Sequence, residues 1–162
     1  MAFGSLSLEG RALRHLARRE HSRAELERKL APHAQDAPGA SAAEQIRAAL
    51  DALAARGLLS DERAAESLLA GAGRRLGRRR LAQSLNAKGL APELVAATLA
   101  QACGSEFERA LAVWQRRFGT PPASLVERAR QSRFLAGRGF DGEVIRRVLR
   151  QAGAAEADDE AP

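Results

Sequence analysis

Six basic side chains, Arg74, Arg75, Arg78, Arg79, Arg80 and Lys88, lie in a stretch with no acidic residue between Glu66 and Glu93. Arginine places two parallel hydrogen bonds on a phosphate or carboxylate, so such a segment is suited to an anionic surface. Read as one helix, Arg74/Arg78 and Arg75/Arg79 fall four residues apart and share a face. They repel one another there unless an anion is near, and a plain solvated face is the alternative. A second, more diluted set is Arg128, Arg130, Arg133, Arg138, Arg146, Arg147 and Arg150, interleaved with Glu127, Asp141 and Glu143.

Other reactive residue types form no constellation. His15, His21 and His33 have no pair on one helical turn and no Cys or carboxylate partner, so they read as surface histidines and no metal is expected. Cys103 reads as a small buried or half-buried apolar residue at a helix end. Asp61-Glu62 suits a helix start, and Gly71-Ala72-Gly73 follows no strand and precedes no Gly-Lys-Ser/Thr. The sequence shows no catalytic residues and no cofactor motif; an enzyme is not expected.

Composition agrees with an anionic partner. The 162 residues carry 26 Lys+Arg against 20 Asp+Glu, net +6. Glu156, Asp158, Asp159 and Glu160 stand near the C-terminus without a basic neighbour, which leaves residues 1–150 with 26 basic against 16 acidic side chains. Only Lys29 and Lys88 are lysine; arginine-rich codon usage would give the same ratio. One cysteine rules out a disulfide framework, no apolar run approaches a membrane span, and the N-terminus lacks the layout of a signal peptide. A cytoplasmic chain with no membrane partner is the expectation.

The elements that must position these arginines are helices. Five Val, two Ile and two Thr stand among abundant Ala, Leu, Arg and Glu, with apolar residues at three- and four-residue spacings. Ser22…Glu25, Ser41…Glu44 and Ser105…Glu108 fit the capping box; Pro92 suits a first turn; Gly57, Gly89 and Gly139 stand where helices should stop. Residues 31–40, with Pro32, Pro38 and Gly39, read as a loop.

The helices repeat. Arg11-Ala12-Leu13…Arg18-Arg19 is similar to Arg109-Ala110-Leu111…Arg116-Arg117, and more weakly to Arg63-Ala64-Ala65. Leu30, Leu85 and Leu135 align, as do Ile46…Leu50, Val95…Leu99 and Ile145…Leu149. The reading is all-α: three tandem three-helix, helix-turn-helix-like repeats at 8–57, 61–103 and 105–153, forming an elongated curved array, with a disordered acidic tail at 154–162. Trp114, Phe118, Phe134 and Phe140 read as core of the third repeat rather than base-stacking platforms. Basic three-helix units also permit a freestanding helix-turn-helix-type DNA-binding protein or transcription regulator.

Over about residues 8–152 the chain resembles the bacterial RecX family. The likeness is carried by His21-Ser22-Arg23…Glu25-Leu26…Lys29-Leu30, Gly57-Leu58-Leu59-Ser60-Asp61-Glu62-Arg63, Gly77-Arg78-Arg79-Arg80-Leu81…Lys88-Gly89-Leu90, Trp114…Arg117-Phe118-Gly119 and Arg133-Phe134-Leu135…Arg138-Gly139-Phe140. Two departures are Ala64, where the family usually has an aromatic, and Ala31-Pro32-His33, where the second helix of a unit would end in Lys-Gly. The resemblance implies a non-enzymatic regulator, monomeric and without a cofactor. It would bind RecA–DNA filaments and mainly inhibit the recombinase, acting in DNA repair, recombination and the SOS response. The nucleic-acid or filament-binding set read from the basic segments is Arg74, Arg75, Arg78, Arg79, Arg80, Lys88, Arg130, Arg133 and Arg138, with mainly phosphate contacts to DNA and no sequence specificity expected.

Overall fold

A computed structural model of the chain describes the backbone of residues 6–159 and the side chains of residues 6–154. Among the described residues there are nine α-helices: α1 (Leu8–Leu16), α2 (Arg23–Leu30), α3 (Ala42–Ala55), α4 (Asp61–Ala70), α5 (Arg78–Ala87), α6 (Pro92–Cys103), α7 (Glu106–Arg117), α8 (Leu125–Gly137) and α9 (Gly142–Asp159). Short 3-10 turns occupy Ala31–His33 and Ala72–Arg75, and one isolated bridge pairs Ala37 with Ala40. The chain is all-α, as its composition indicates.

Local signals explain most boundaries. Ser22 and Ser41 form complete capping boxes with Glu25 and Glu44. Gly57, Gly89 and Gly139 have φ of 68°, 68° and 85°, the left-handed conformation that ends a helix. Ser105 does not cap α7. Its hydroxyl donates to the Ala102 carbonyl and accepts from Arg109, because only Gly104-Ser105 separates α6 from α7. α9 is longer than composition suggests: residues 154–159, assigned to a disordered tail, continue its backbone, since Ala and Glu are good helix formers. Residues 160–162 lie outside the described residues.

The described helices pack into two compact bodies, residues 6–67 with 85–94, and residues 68–84 with 95–159. The first is built on Ala12, Leu26, Leu30, Ile46, Leu50, Leu53 and Leu59. The second is built on Val113, Trp114, Leu135, Phe140, Ile145, Val148 and Leu149, with the Trp114 indole N–H donating to Gln131 at 2.7 Å. Ala64 is 1% exposed and faces inward.

One packing device occurs once in each body. In the first, the turn Lys88-Gly89-Leu90 rests on the start of α2. The Ser22 hydroxyl donates to the Lys88 carbonyl, and a Cβ on Gly89 would stand 2.6 Å from the Ala24 Cβ. In the second, Arg138-Gly139-Phe140 rests on the start of α5, with Gly77 N–H donating to Arg138 O (2.9 Å) and Arg79 N–H to Gly139 O (3.2 Å). At the end of α2 the chain instead enters the 3-10 turn Ala31–His33.

Glu25 ties the first device together. Burial pushes its carboxyl up, but hydrogen bonds from Arg19, the Ser22 N–H and Lys88 outweigh that and hold it at about 2. A carboxyl depressed in the folded state stabilises above its unfolded value of 4.5, and that stability goes as pH falls from about 4.5 to about 2. The first body is therefore expected to lose roughly 2–3 kcal/mol over that window. Urea unfolding at stepped pH, with Glu25→Gln as control, measures it; an equal pH dependence in the control would rule Glu25 out as the source.

Candidate nucleic-acid interface

Charge is divided unevenly. The first body holds eleven basic and eleven acidic residues, the second fifteen and nine, four of those nine falling at 156–160. The ion pairs found among the described residues are Arg19–Glu25, Arg23–Asp51, Arg56–Glu9, Arg63–Glu20 and Lys88–Glu25, all in the first body. The arginines of the second body have no carboxylate within ion-pair distance among the described residues.

The geometry corrects the single basic helix face. Arg74 and Arg75 belong to the 3-10 turn, Leu76-Gly77 interrupts the chain, and Arg78 starts α5. The cause is the pair of flanking glycines. A Cβ on Gly73 would meet the Leu68 carbonyl at 2.9 Å, and one on Gly77 the Phe140 nitrogen at 2.1 Å. Backbone packed this closely leaves no room for a continuous helix there.

Arg74 and Arg75 instead line a groove of about 910 Å³ with Arg116, Arg117 and Arg138. Its apolar lining includes Leu76, Val113 and Phe134. The Arg138 guanidinium lies 4.8 Å from the Phe134 ring centroid and that of Arg117 5.9 Å, a cation–π arrangement that keeps both charges at the groove. Phe118 meets Phe134 edge to face at 5.3 Å. These aromatics support the arginines and are half-buried, as the core reading has it.

The remaining sequence-derived residues are dispersed. Arg78 and Arg79 are exposed on α5, but their backbone N–H groups are held by Glu106 and Gly139. Arg80 Nε donates to the Gly137 carbonyl. Lys88 is not free for an anion: its side chain is 14% exposed and its ammonium is paired with Glu25. Arg130 and Arg133 are exposed on α8, Arg130 beside a smaller pocket with Arg117 and Gln131.

Sequence reasoning did not count Arg116 and Arg117 among the binding residues: they align with Arg18-Arg19 of the mixed-charge first repeat, and Arg117 entered only through the family likeness. It also missed Glu106, whose buried carboxylate accepts from Arg78 N–H (3.0 Å) and Asp141 N–H (3.4 Å), bridging the positive ends of α5 and α9. Arg109 is buried too, donating to the Leu76 and Ala102 carbonyls, and burial lowers its pKa. His21 is buried, not at the surface, because its Nδ1 bonds the Arg19 carbonyl (3.0 Å) beside His15. Cys103 is exposed, as the last residue of α6. No group of His, Cys, Asp or Glu that could hold a metal occurs among the described residues, and no described helix is long and apolar enough to cross a membrane.

Residues 60–99 match the RecX second three-helix domain and residues 105–149 the RecX third three-helix domain. The chain is 50% identical over 147 residues to the regulatory protein RecX of Leptothrix cholodnii, covering 91% of this chain and 90% of the relative. The chain belongs to the RecX family. A second regulatory protein RecX, from Ralstonia nicotianae, is 45% identical over 157 residues, covering 97% of this chain and 95% of its own. The crystal structure of RecX from Lactobacillus salivarius shares the fold at a TM-score of 0.70 and 17% identity, over 91% of this chain and 95% of that one. This RecX-family chain is thus a regulatory protein built of three-helix domains.

Proposed function

We propose that the chain regulates the RecA recombinase by binding RecA–DNA filaments and mainly inhibiting their activity, and so acts in DNA repair and recombination without catalysing a reaction. The observation that carries this reading, beside family membership, is the groove of five arginines lacking acidic partners. An excess of cations in one body, while the other carries as many acidic as basic residues, is suited to an external polyanion. The repeats at 8–57, 61–103 and 105–153 supply similar helical surfaces in sequence, which suits a periodic partner. Arg74, Arg75, Arg116, Arg117 and Arg138 contact phosphate at the groove; Arg78, Arg79, Arg80, Arg130 and Arg133 are secondary contacts. On this reading the chain acts on DNA in the cytoplasm.

Titration of labelled single-stranded DNA, with and without RecA and ATP, tests this. Binding to the filament is expected to be at least tenfold tighter than to bare DNA and independent of sequence. Tight, sequence-dependent binding to duplex without recombinase would show a freestanding DNA-binding protein instead.

A further inference from the structure

The groove of the second body carries more than charge. Its lining mixes Leu76, Val113 and Phe134 with the five arginines, and no described Asp or Glu takes part in it. A phosphate gains from the arginines but nothing from apolar surface beside them. That surface gains only when something apolar or aromatic covers it.

Two of the arginines are held by rings rather than by carboxylates. The Arg138 guanidinium lies 4.8 Å from the Phe134 ring centroid. That of Arg117 lies 5.9 Å from the same centroid and 5.7 Å from that of Phe118. Phe118 braces Phe134 edge to face, and both rings pack against the core of the second body. The rings therefore hold these two cations in place without neutralising them. A guanidinium is flat and delocalised, so its face is a stacking surface for a nucleobase while its edge still donates hydrogen bonds. Arg147 stands 4.1 Å from the Phe107 centroid in the same manner, but neither residue lines the groove.

Size agrees with this chemistry. At about 910 Å³ the groove falls in the range of sites that enclose an organic ligand, so a flat base fits there beside its phosphate. A base in a duplex is stacked and paired, and reaches such a site only by leaving the stack.

We propose that the groove is a base-stacking site for unpaired nucleotides: bases of a single strand lie against the guanidinium faces of Arg117 and Arg138, backed by Phe134, while Arg74, Arg75 and Arg116 take the phosphates. This rests on the reading that the groove meets nucleic acid, and adds which part of the nucleic acid enters it. Phe134 keeps its place in the core, and the platform is the arginine layer upon it. Every base has a π face, so the contact tolerates any sequence. Bases held in this way are withdrawn from pairing with another strand.

Fluorescence anisotropy of the full chain with two labelled strands of equal length and phosphate number, an oligothymidylate and a wholly abasic strand, tests it. The unsubstituted chain is expected to bind the oligothymidylate about tenfold more tightly or better. Arg117→Lys/Arg138→Lys keeps both charges and removes both flat faces. It should bring the two strands to within about twofold of each other, with the slope of log affinity against log salt nearly unchanged. Arg147→Lys removes the ring-backed guanidinium outside the groove and should keep the whole difference. Thermal melts followed by Trp114 fluorescence verify that the variants fold, and the comparison on the unsubstituted chain needs no variant. Equal binding of the two strands by that chain, with a steep salt slope, would overturn base stacking and leave the phosphate contacts standing. A difference that survives in the double variant would put the bases elsewhere and overturn it too. Binding to neither strand would remove the nucleic-acid reading of the groove along with it.

Discussion

Gly77→Ala is expected to destabilise the second body by about 3 kcal/mol or more. A Cβ there would stand 2.1 Å from the Phe140 nitrogen and 2.3 Å from the Gly139 carbonyl carbon. Both are backbone atoms, so no side-chain rotation relieves the overlap. The Gly77–Arg138 and Arg79–Gly139 hydrogen bonds must break or the α8–α9 turn must move. Gly153 is the control: it lies in α9, its Cβ would meet nothing within 4 Å, and Gly153→Ala should be neutral or stabilise by about 0.5–1 kcal/mol. Urea denaturation followed by Trp114 fluorescence reports on the second body. Equal midpoints for the two variants would mean that the clasp at α5 contributes nothing.

Reversing Arg74, Arg75, Arg116 and Arg117 to Glu should weaken binding to single-stranded DNA by about 100-fold or more near 0.1 M salt. Each phosphate contact contributes about 0.7 to the slope of log affinity against log salt on a single strand, so the slope should fall by about 3. The same change in net charge made at Arg14, Arg18, Lys29 and Arg47, exposed positions of the first body, separates local contact from overall charge and should leave most of the slope in place. Equal losses from the two quadruple variants would show that the groove has no special part in binding.

What the sequence made legible was local. Helix propensity, the Ser22 and Ser41 capping boxes and the glycine stops at 57, 89 and 139 each depend on a few consecutive residues. The repeat register through Leu30, Leu85 and Leu135 was equally visible, since all three are fully buried. What failed needed information from elsewhere in the chain. Arg74–Arg79 reads as a helix until Phe140 is known to press on Gly77. Lys88 reads as a free cation until Glu25, 63 residues away, is found beside it. Arg116 and Arg117 gain meaning only where Arg74, Arg75 and Arg138 converge with them.

The clasp of Arg138-Gly139 on α5 is made through main-chain N–H and carbonyl groups. Every residue type except proline offers the same donor and acceptor, so the joint asks for glycine at two places and leaves neighbouring side chains unconstrained. Arg138 can therefore turn its guanidinium to the groove while its carbonyl holds the clasp. A joint of this kind lets surface chemistry drift while the helices keep their places, a physical route to a shared fold at 17% identity.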